Sequence, residues 1–487
     1  MPWRTYFVFI TLFGILLRVF AALSRTDMVW PDEHFQALEP ASAIVFGRAY
    51  MSWEWAEGYR SWFLPGLYIP ILYLGKVAGL DGGKTLILLC RLFSVLASCT
   101  VIFSLNRVMS SFQLAPLARL LAVLTFTFSA PMILWAPTTL ADNWSMLLSW
   151  FALAYTLSVK DLGSRKQWFV AGMLAGLAYL AKLQIVFWIV GLGLALLIAR
   201  VSFRNLVNWT LGIFAIFLFG GILDKFTWGD FFHSTYVQVT SGVRIASTFG
   251  TLPWDAYFSL ILKDLGPWLF AAIGILFLTV LIAKRKFPSF AHYQIVLVPW
   301  LFFFISHALI PHKETRFLLP MFPVFFFLFG VVLDAALKTF VSEQELEACF
   351  SFKTSFKTAL ATCFVLIALT SMVAFTMQNT PLEGSPFNVA ELEDKIYRYQ
   401  NFPPRGNRCV MMVDFPWAWS RGQLVIGERT DIVFSEYPYI ADHQFKRCQF
   451  AILPNWQEAK LVNAPGNWKL FARSETPYSL FENTAAR

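Results

Sequence analysis

Two adjacent acids, Asp32 and Glu33, stand in TrpProAspGluHisPheGln at Trp30 to Gln36, just past the first apolar segment. An acid so placed can act as a general base, taking the proton from a hydroxyl as its oxygen attacks. Acids after a proline also read as an ordinary helix start, and both readings stand. Far downstream, HisLysGluThrArgPhe at His312 to Phe317 separates two apolar runs. Five polar residues in a row exceed what a plain turn at a membrane boundary needs. Lys313 supplies a point charge, Arg316 can engage two oxygens at once, and His312 adds a third basic group. Together they suit a phosphate clamp, and Glu314 can pair with one of them. Snorkelling to lipid headgroups explains Lys313 alone but not the dense cluster.

Between these clusters lie TrpGluTrp at Trp53 to Trp55 and TyrArgSerTrp at Tyr59 to Trp62. Rings such as Trp53 can cover apolar sugar faces, while Glu54 and Arg60 hold hydroxyls or phosphates. An interfacial aromatic belt accounts for the same residues equally well. Asp142, Asn143 and Asp224 each mark a helix boundary, where helix capping is the competing role. AsnTrpSer at Asn143 and AsnTrpThr at Asn208 match the glycosylation pattern but abut apolar runs, which discounts them. Arg18, inside the first apolar segment, needs a partner or an aqueous cavity. His307 reads as a packed core histidine.

The elements that must position these residues follow from composition. The chain has 487 residues, 57% hydrophobic and 14% charged, too apolar for a soluble protein. Its 51 Phe and 19 Trp suit a lipid-embedded body with aromatic anchors. The net charge of +9 lies in short loops between apolar runs, so membrane topology explains it better than nucleic acid does. Tyr6 to Leu23 reads as a retained first span, since Leu12 to Leu23 lacks a small-residue cleavage site.

Spans are expected over 6–23, 86–107, 117–136, 142–159, 167–181, 183–199, 206–224, 265–283, 291–310, 317–338 and 357–377, about eleven in all. Trp62 to Leu80, with Pro65 and Pro70, is read as an interfacial or re-entrant helix, because a further span there would invert every later loop. With the N-terminus inside, the short inner loops are all basic. They hold Arg107 and Arg119; Lys160, Arg165 and Lys166; Arg200 and Arg204; Lys284, Arg285 and Lys286; and Lys338, Lys353 and Lys357. The candidate chemical residues then fall together on the outer face. Lys182, Lys313 and Arg316 sit at outer turns against the charge trend, which marks them as functional candidates.

Residues 378–487 change character. Segments beginning at Cys409, Gln423, Asp431 and Cys448 read as short strands of a small α/β domain outside the membrane. Cys409 and Cys448 form either a disulfide or two ordinary buried thiols. Cys90, Cys99, Cys349 and Cys363 lie in or near apolar runs, and no cysteine spacing resembles a zinc or redox motif. The expected architecture is an all-α polytopic membrane domain over 1–377, with its acid motif in the outer loop 24–85, followed by the α/β domain. There is no phosphate-binding Gly-rich loop and no dinucleotide fingerprint. No AspXxxAsp pair sits in a soluble nucleotide-sugar domain, so a lipid-linked donor fits better than a sugar nucleotide. The spans show no duplication into two halves, as many transporters do.

At these residues the chain resembles glycosyltransferase family 22, the GT-C group with the mannosyltransferases of GPI-anchor and N-glycan assembly. It is most similar to the GPI mannosyltransferase III type. The resemblance rests on TrpProAspGluHisPheGlnAlaLeuGlu from Trp30 to Glu39, TrpGluTrp at Trp53, ArgSer at Arg60 and LeuAlaAspAsn at Leu140 to Asn143. It continues in Gly250 to Phe258, with Trp254, and in His312 to Phe317. These motifs cover roughly 25–325 in order. Lys182 departs from the pattern, where an ArgPro pair is expected.

The resemblance implies a GT-C fold and an inverting membrane transferase. The donor would be a polyprenyl or dolichyl phosphate mannose, and the acceptor a lipid-linked glycan or GPI-type lipid. Asp32 would be the base, with Glu33 as support or alternative. His312, Lys313 and Arg316 would hold the donor phosphate, with Glu314 beside them. Trp53, Glu54, Arg60 and Trp254 would shape the pockets. Glu39, Asp142, Asn143, Asp224 and Gly250 are further candidate substrate contacts. No cofactor or metal is required, because the lipid phosphate leaves as a stabilised anion. The membrane would be the endoplasmic reticulum or a bacterial inner membrane, with the site on the lumenal or periplasmic side. Competing readings are a GT-C transferase for another lipid-linked sugar, a lipid or solute transporter, and a glycan-binding protein.

Overall fold

The computed structural model describes residues 2–24, 30–80, 82–160, 163–248, 250–283 and 290–340, then 392–393, 395–396, 408–413, 430–435, 442–473 and 478–485. The expected span 357–377 lies outside these residues. So do the loop 284–286, Cys349, Lys353, Lys357, Cys363 and the strand at Gln423.

The other expected spans coincide with helices: Pro2–Ser24, Lys84–Ser98 with Thr100–Ser111, Pro116–Phe128, Ala141–Val159, Arg165–Ala181, Ile185–Ile198, Phe203–Trp228, Pro267–Ile282, Phe290–Leu309 and Phe322–Phe340. Among the described residues, five helices are long and apolar enough to cross a bilayer: Arg4–Ser24, Lys84–Ser111, Phe203–Trp228, Ala291–Leu309 and Thr315–Thr339. A sixth arises if Ala256–Leu265 and Pro267–Ile282, bent by 96°, are one span. Ten of the eleven expected spans thus coincide with described helices, though not all as full-length spans. Pro116–Phe128 has 13 residues and stops before Pro131. Ile185–Ile198 has 14 residues, about 21 Å of helix against a hydrocarbon core of about 30 Å. Phe63–Val77, the helix read as interfacial or re-entrant, has 15 residues with Pro70 inside.

Local chemistry sets the packing. Pro131 has no N–H to give the Thr127 carbonyl. Arg18 fills that place: its Nη1 donates to the carbonyls of Thr127 at 2.9 Å and Gly14 at 3.0 Å. The buried guanidinium in the first span thereby gains the partner it needs. Ser164 and Gln167 form a capping box that starts Arg165–Ala181. That helix packs tightly on Phe203–Trp228. A Cβ at Gly172 would collide with the Trp209 carbonyl, and one at Gly212 with the Phe169 carbonyl. Small residues let two apolar helices approach at backbone distance. The approach brings the ends carrying Tyr179, Lys182 and Asp224 to one place.

In the tail, β1 (Arg408–Val413), β2 (Thr430–Ser435), β3 (Phe450–Pro454), β4 (Trp468–Arg473) and β5 (Tyr478–Asn483) form one sheet. Its order is β2-β1-β3-β5-β4. The pairs β1/β2 and β1/β3 are parallel, and β3/β5 and β4/β5 antiparallel. Val410, Met412, Phe450, Ile452 and Leu480 pack on one face; Cys409, Met411, Ala451, Leu453 and Phe481 pack on the other. Burial on both faces explains the continuous apolar runs of β1 and β3. Cys409 and Cys448 are joined by a disulfide. The strands Trp468–Arg473 and Tyr478–Asn483 were not expected from the sequence; both mix charged and apolar residues.

Candidate active site

A cavity of about 700 Å³ opens at the helix ends. Its wall includes Asp32, Gln36, Trp53, Glu54, Arg60, Asp142, Lys182, Asp224, His312, Glu314 and Arg316. The acid motif of the first loop and the basic motif before Phe322–Phe340 therefore converge.

Their convergence follows from two short turns. Pro31 accepts the N–H groups of His34 at 3.0 Å and Phe35 at 3.2 Å, opening a π-helical turn at His34–Leu38 that continues as Glu39–Phe46. Successive helical side chains diverge by about 100°, so Asp32 and Glu33 face different ways. The Asp32 side chain is 30% exposed at the cavity. Glu33 is buried, with Oε2 4.0 Å from Arg91 Nη2, and its carbonyl accepts from Thr139 Oγ1. On the other side, the 3-10 helix Thr315–Met321 presents Arg316.

Arg316 is the hub. Its Nη1 donates to Asp32 Oδ2 at 2.6 Å. Its Nε donates to Glu314 Oε2 at 2.6 Å and its Nη2 to Oε1 at 3.2 Å. The guanidinium carbon lies 4.8 Å from the Trp30 ring centre and 5.2 Å from that of Phe317. Glu314 Oε1 also meets His312 Nε2 at 2.8 Å. His312 Nδ1 lies 3.1 Å from the Gly250 carbonyl. The base candidate is thus held by a chain of charged hydrogen bonds, the strong kind.

Two further ion pairs flank the hub. Lys182 ends the Arg165–Ala181 helix in extended backbone. Its Nζ donates to Asp142 Oδ1 and, at 3.3 Å, to the Phe317 carbonyl. Burial holds the Lys182 ammonium below the ordinary lysine pKa, against the pull of Asp142. Arg60 Nη2 donates to Glu54 Oε1, which also receives Gln36 Nε2 at 3.4 Å. Burial raises the Glu54 pKa despite Arg60. The sequence marked Lys182 only as an exception to the charge trend; its pairing with Asp142 needs the packed helices.

Several expected site residues stand elsewhere. Lys313 does not line the cavity. Its Nζ donates to the carbonyls of Ile310 at 2.6 Å and Leu252 at 3.0 Å, so chain reversal turns it away from Arg316. Glu33 faces Arg91, as described. Glu39 is buried and its Oε2 accepts the Tyr50 N–H at 2.6 Å. Asn143 is buried, with Nδ2 donating to the carbonyls of Ala136 and Thr138, both at 3.1 Å. It braces the turn before Ala141–Val159. Trp254 is exposed and off the cavity wall. Gly250 contributes a carbonyl to His312, in a turn with φ 91°. His307 packs its ring 4.0 Å from that of Phe303 and donates from Nδ1 to the Phe303 carbonyl at 2.8 Å, while also bordering the cavity. The cavity further recruits Tyr179, Gln184, Thr235 and Gln238, ordinary helix-face residues with no sequence signal. Among the described residues, no group of three or more His, Cys, Asp or Glu is placed to hold a metal ion.

The pattern of the Alg9-like mannosyltransferase family matches residues 7–413. The chain belongs to this family. The match extends beyond the motif-bearing 25–325 into β1. Over 359 residues the chain is 26% identical to GPI alpha-1,2-mannosyltransferase 3 of Homo sapiens, covering 65% of this chain and 56% of that one. Over 341 residues it is 27% identical to alpha-1,2-mannosyltransferase alg9 of Schizosaccharomyces pombe, covering 64% and 56%. The chain thus spans little more than half the length of these relatives. The GT-C fold is shared with ArnT from Cupriavidus metallidurans, solved with undecaprenyl phosphate: TM-score 0.61, 13% identity, covering 100% of this chain and 99% of that one. The Archaeoglobus fulgidus oligosaccharyltransferase is a further neighbour, with TM-score 0.52, 11% identity, covering 99% and 74%.

Proposed function

We propose that this member of the family is a mannosyltransferase. It moves one mannose from a polyprenyl or dolichyl phosphate to a lipid-linked glycan or GPI-type acceptor. The carrying observation is the 2.6 Å contact of Asp32 with Arg316 inside a cavity that also holds Lys182, Arg60 and His312. An acid is oriented by a cation in the same space where other cations can meet a phosphate.

The chemistry is a single displacement. The acceptor hydroxyl oxygen bonds to the anomeric carbon as Asp32 takes its proton. The bond from that carbon to the phosphate oxygen breaks, and its electron pair leaves with the lipid phosphate. Lys182, Arg60 and His312 stabilise the charge that develops there; Lys313, committed to backbone carbonyls, plays no part. One displacement inverts the anomeric carbon. The relatives' names carry an α-1,2 linkage, so inversion calls for a β-linked donor.

Topology supports an outer-face site. Ala141–Val159 has 19 residues, about 28 Å of helix. Asp142 lies at its cavity end, and Lys160 follows its far end. Arg165 and Lys182 likewise bracket Arg165–Ala181. Lys160 and Arg165 therefore lie at helix ends opposite the cavity, which under the positive-inside rule supports an outer-face site. The disulfide in the tail suits the same oxidising compartment.

Purified protein supplied with polyprenyl phosphate mannose and a panel of lipid-linked glycan and GPI-precursor acceptors should yield a mannosylated lipid of inverted configuration. No product with any acceptor, or retained configuration, overturns the proposal.

A further inference from the structure

The far wall of the cavity carries a polar group unlike the ion-paired end. Asp224 lies near the end of Phe203–Trp228 and is only 2% exposed. Its Oδ2 accepts the backbone N–H of Ser234 at 2.9 Å and the Ser234 hydroxyl at 2.7 Å. That accounts for one oxygen as the cap of His233–Thr248. The other, Oδ1, is buried and accepts no side-chain hydrogen bond, with the Thr235 backbone N–H as the neighbouring donor to the carboxyl group. Beside it, Tyr179 Oη and Thr235 Oγ1 are 3.0 Å apart. The amide of Gln238 lines the same wall one turn further along the helix. A buried carboxylate oxygen short of donors costs free energy unless a ligand or water supplies one.

We infer that Asp224, Thr235, Tyr179 and Gln238 form a second subsite that takes the hydroxyl groups of a carbohydrate. The group offers a carboxylate acceptor, two hydroxyls that donate or accept, and one amide that does both. Adjacent sugar hydroxyls present the matching mixture. The group itself contains no cation, and the acid repels phosphate. His233, the basic neighbour, stacks on Trp228 at 5.6 Å and is not on the cavity wall. The wall is continuous with aromatic surface: Tyr59 Oη would sit 3.5 Å from a Cβ at Gly242, and Tyr59 and Trp53 rings lie 5.8 Å apart. The phosphate end and the hydroxyl end thereby divide a glycosyl phosphate and its acceptor across one cavity. This inference rests on the carbohydrate-transfer reading of the cavity.

The test compares Asp224→Asn and Thr235→Val with Thr240→Ala, on the same helix but off the cavity wall, where the Thr240 hydroxyl meets only the Tyr236 and Val237 carbonyls. Transfer kinetics are run with donor and acceptor varied in turn. Equilibrium binding of a mannose-terminated lipid-linked glycan is measured separately by tryptophan fluorescence. Asp224→Asn and Thr235→Val should each raise one KM, and weaken glycan binding or donor use, by roughly tenfold, the loss of one hydrogen bond to a charged or buried partner. Thr240→Ala should leave both KM values unchanged. A rise confined to the acceptor KM assigns the subsite to the acceptor glycan; one confined to the donor KM assigns it to the transferred hexose. If the wild type binds the glycan but transfers no mannose, the mannosyl-transfer reading fails, and weakened binding in the variants still supports the subsite. If both variants keep both KM values and glycan binding within about twofold of the wild type, or the wild type neither binds nor transfers, the subsite is refuted.

Discussion

Asp32→Asn and Glu33→Gln are neighbouring isosteric changes with opposite expected outcomes. The Asp32 amide keeps its shape but takes no proton. Loss of a positioned general base costs about 10²–10⁴-fold, or about 2.7–5.5 kcal/mol of barrier. The cost to the fold is small. The Asp32 side chain is 30% exposed, so its ion pair is discounted towards the ~1 kcal/mol of exposed pairs. Arg316 also keeps Glu314 at 2.6 Å. Glu33 is the reverse case, with its side chain 1% exposed and that of Arg91 5% exposed. Neutralising one side of a buried pair costs about 3–5 kcal/mol, but Glu33 itself is not on the cavity wall. The assay is initial-rate transfer from polyprenyl phosphate mannose, read beside the thermal unfolding midpoint of each protein. Asp32→Asn should lose turnover with its midpoint nearly intact; Glu33→Gln should unfold earlier, with turnover per folded molecule largely kept. The reasoning is refuted if Asp32→Asn stays within about tenfold of wild-type turnover, or if Glu33→Gln silences transfer without destabilising.

Lys182→Met should raise the donor KM by at least about tenfold, and the double change with Asp142→Asn should be less unstable than Lys182→Met alone, since no unpaired buried acid remains. Lys313→Ala should leave the donor KM unchanged but lower the unfolding midpoint, because the Leu252 and Ile310 carbonyls lose their shared donor. Burial raises the Glu54 pKa against the pull of Arg60. Its carboxylate therefore weakens the fold above that raised pKa, and the penalty fades as pH falls through it. Glu54→Gln should flatten this part of the unfolding-midpoint curve against pH. Cys409→Ser with Cys448→Ser should destabilise the tail by about 4 kcal/mol on chain-entropy grounds for a sequence separation of 39, seen as an earlier unfolding transition and faster proteolysis after β1.

The site was legible where polar residues interrupt apolar chain. Asp32, Arg316, His312, Glu54 and Arg60 stand out against their surroundings, and the structure brings them together. Direction of side chains was not legible. Asp32 and Glu33 are adjacent in sequence, and a helical turn sends one to the cavity and one to Arg91. Lys313 and Arg316 are three apart, and the turn between them commits Lys313 to backbone carbonyls. Glu39 and Asn143 belong to conspicuous motifs, yet both brace turns. Tyr179, Thr235 and Gln238 carried no signal, because a polar residue on a helix face acquires meaning only from the helix opposite it. Helix positions followed hydropathy well. Helix lengths did not: Pro131 breaks a run that remains apolar in sequence, and Ile185–Ile198 stops at 14 residues.

The most direct measurement is a structure of the membrane-embedded protein at saturating polyprenyl phosphate. The account predicts the phosphate in the cavity, within hydrogen-bonding distance of at least one of Lys182, Arg60 and His312, with Asp32 facing the space beside it. A phosphate bound at the basic-loop ends of the helices, or a cavity still empty of lipid at saturation, would contradict it.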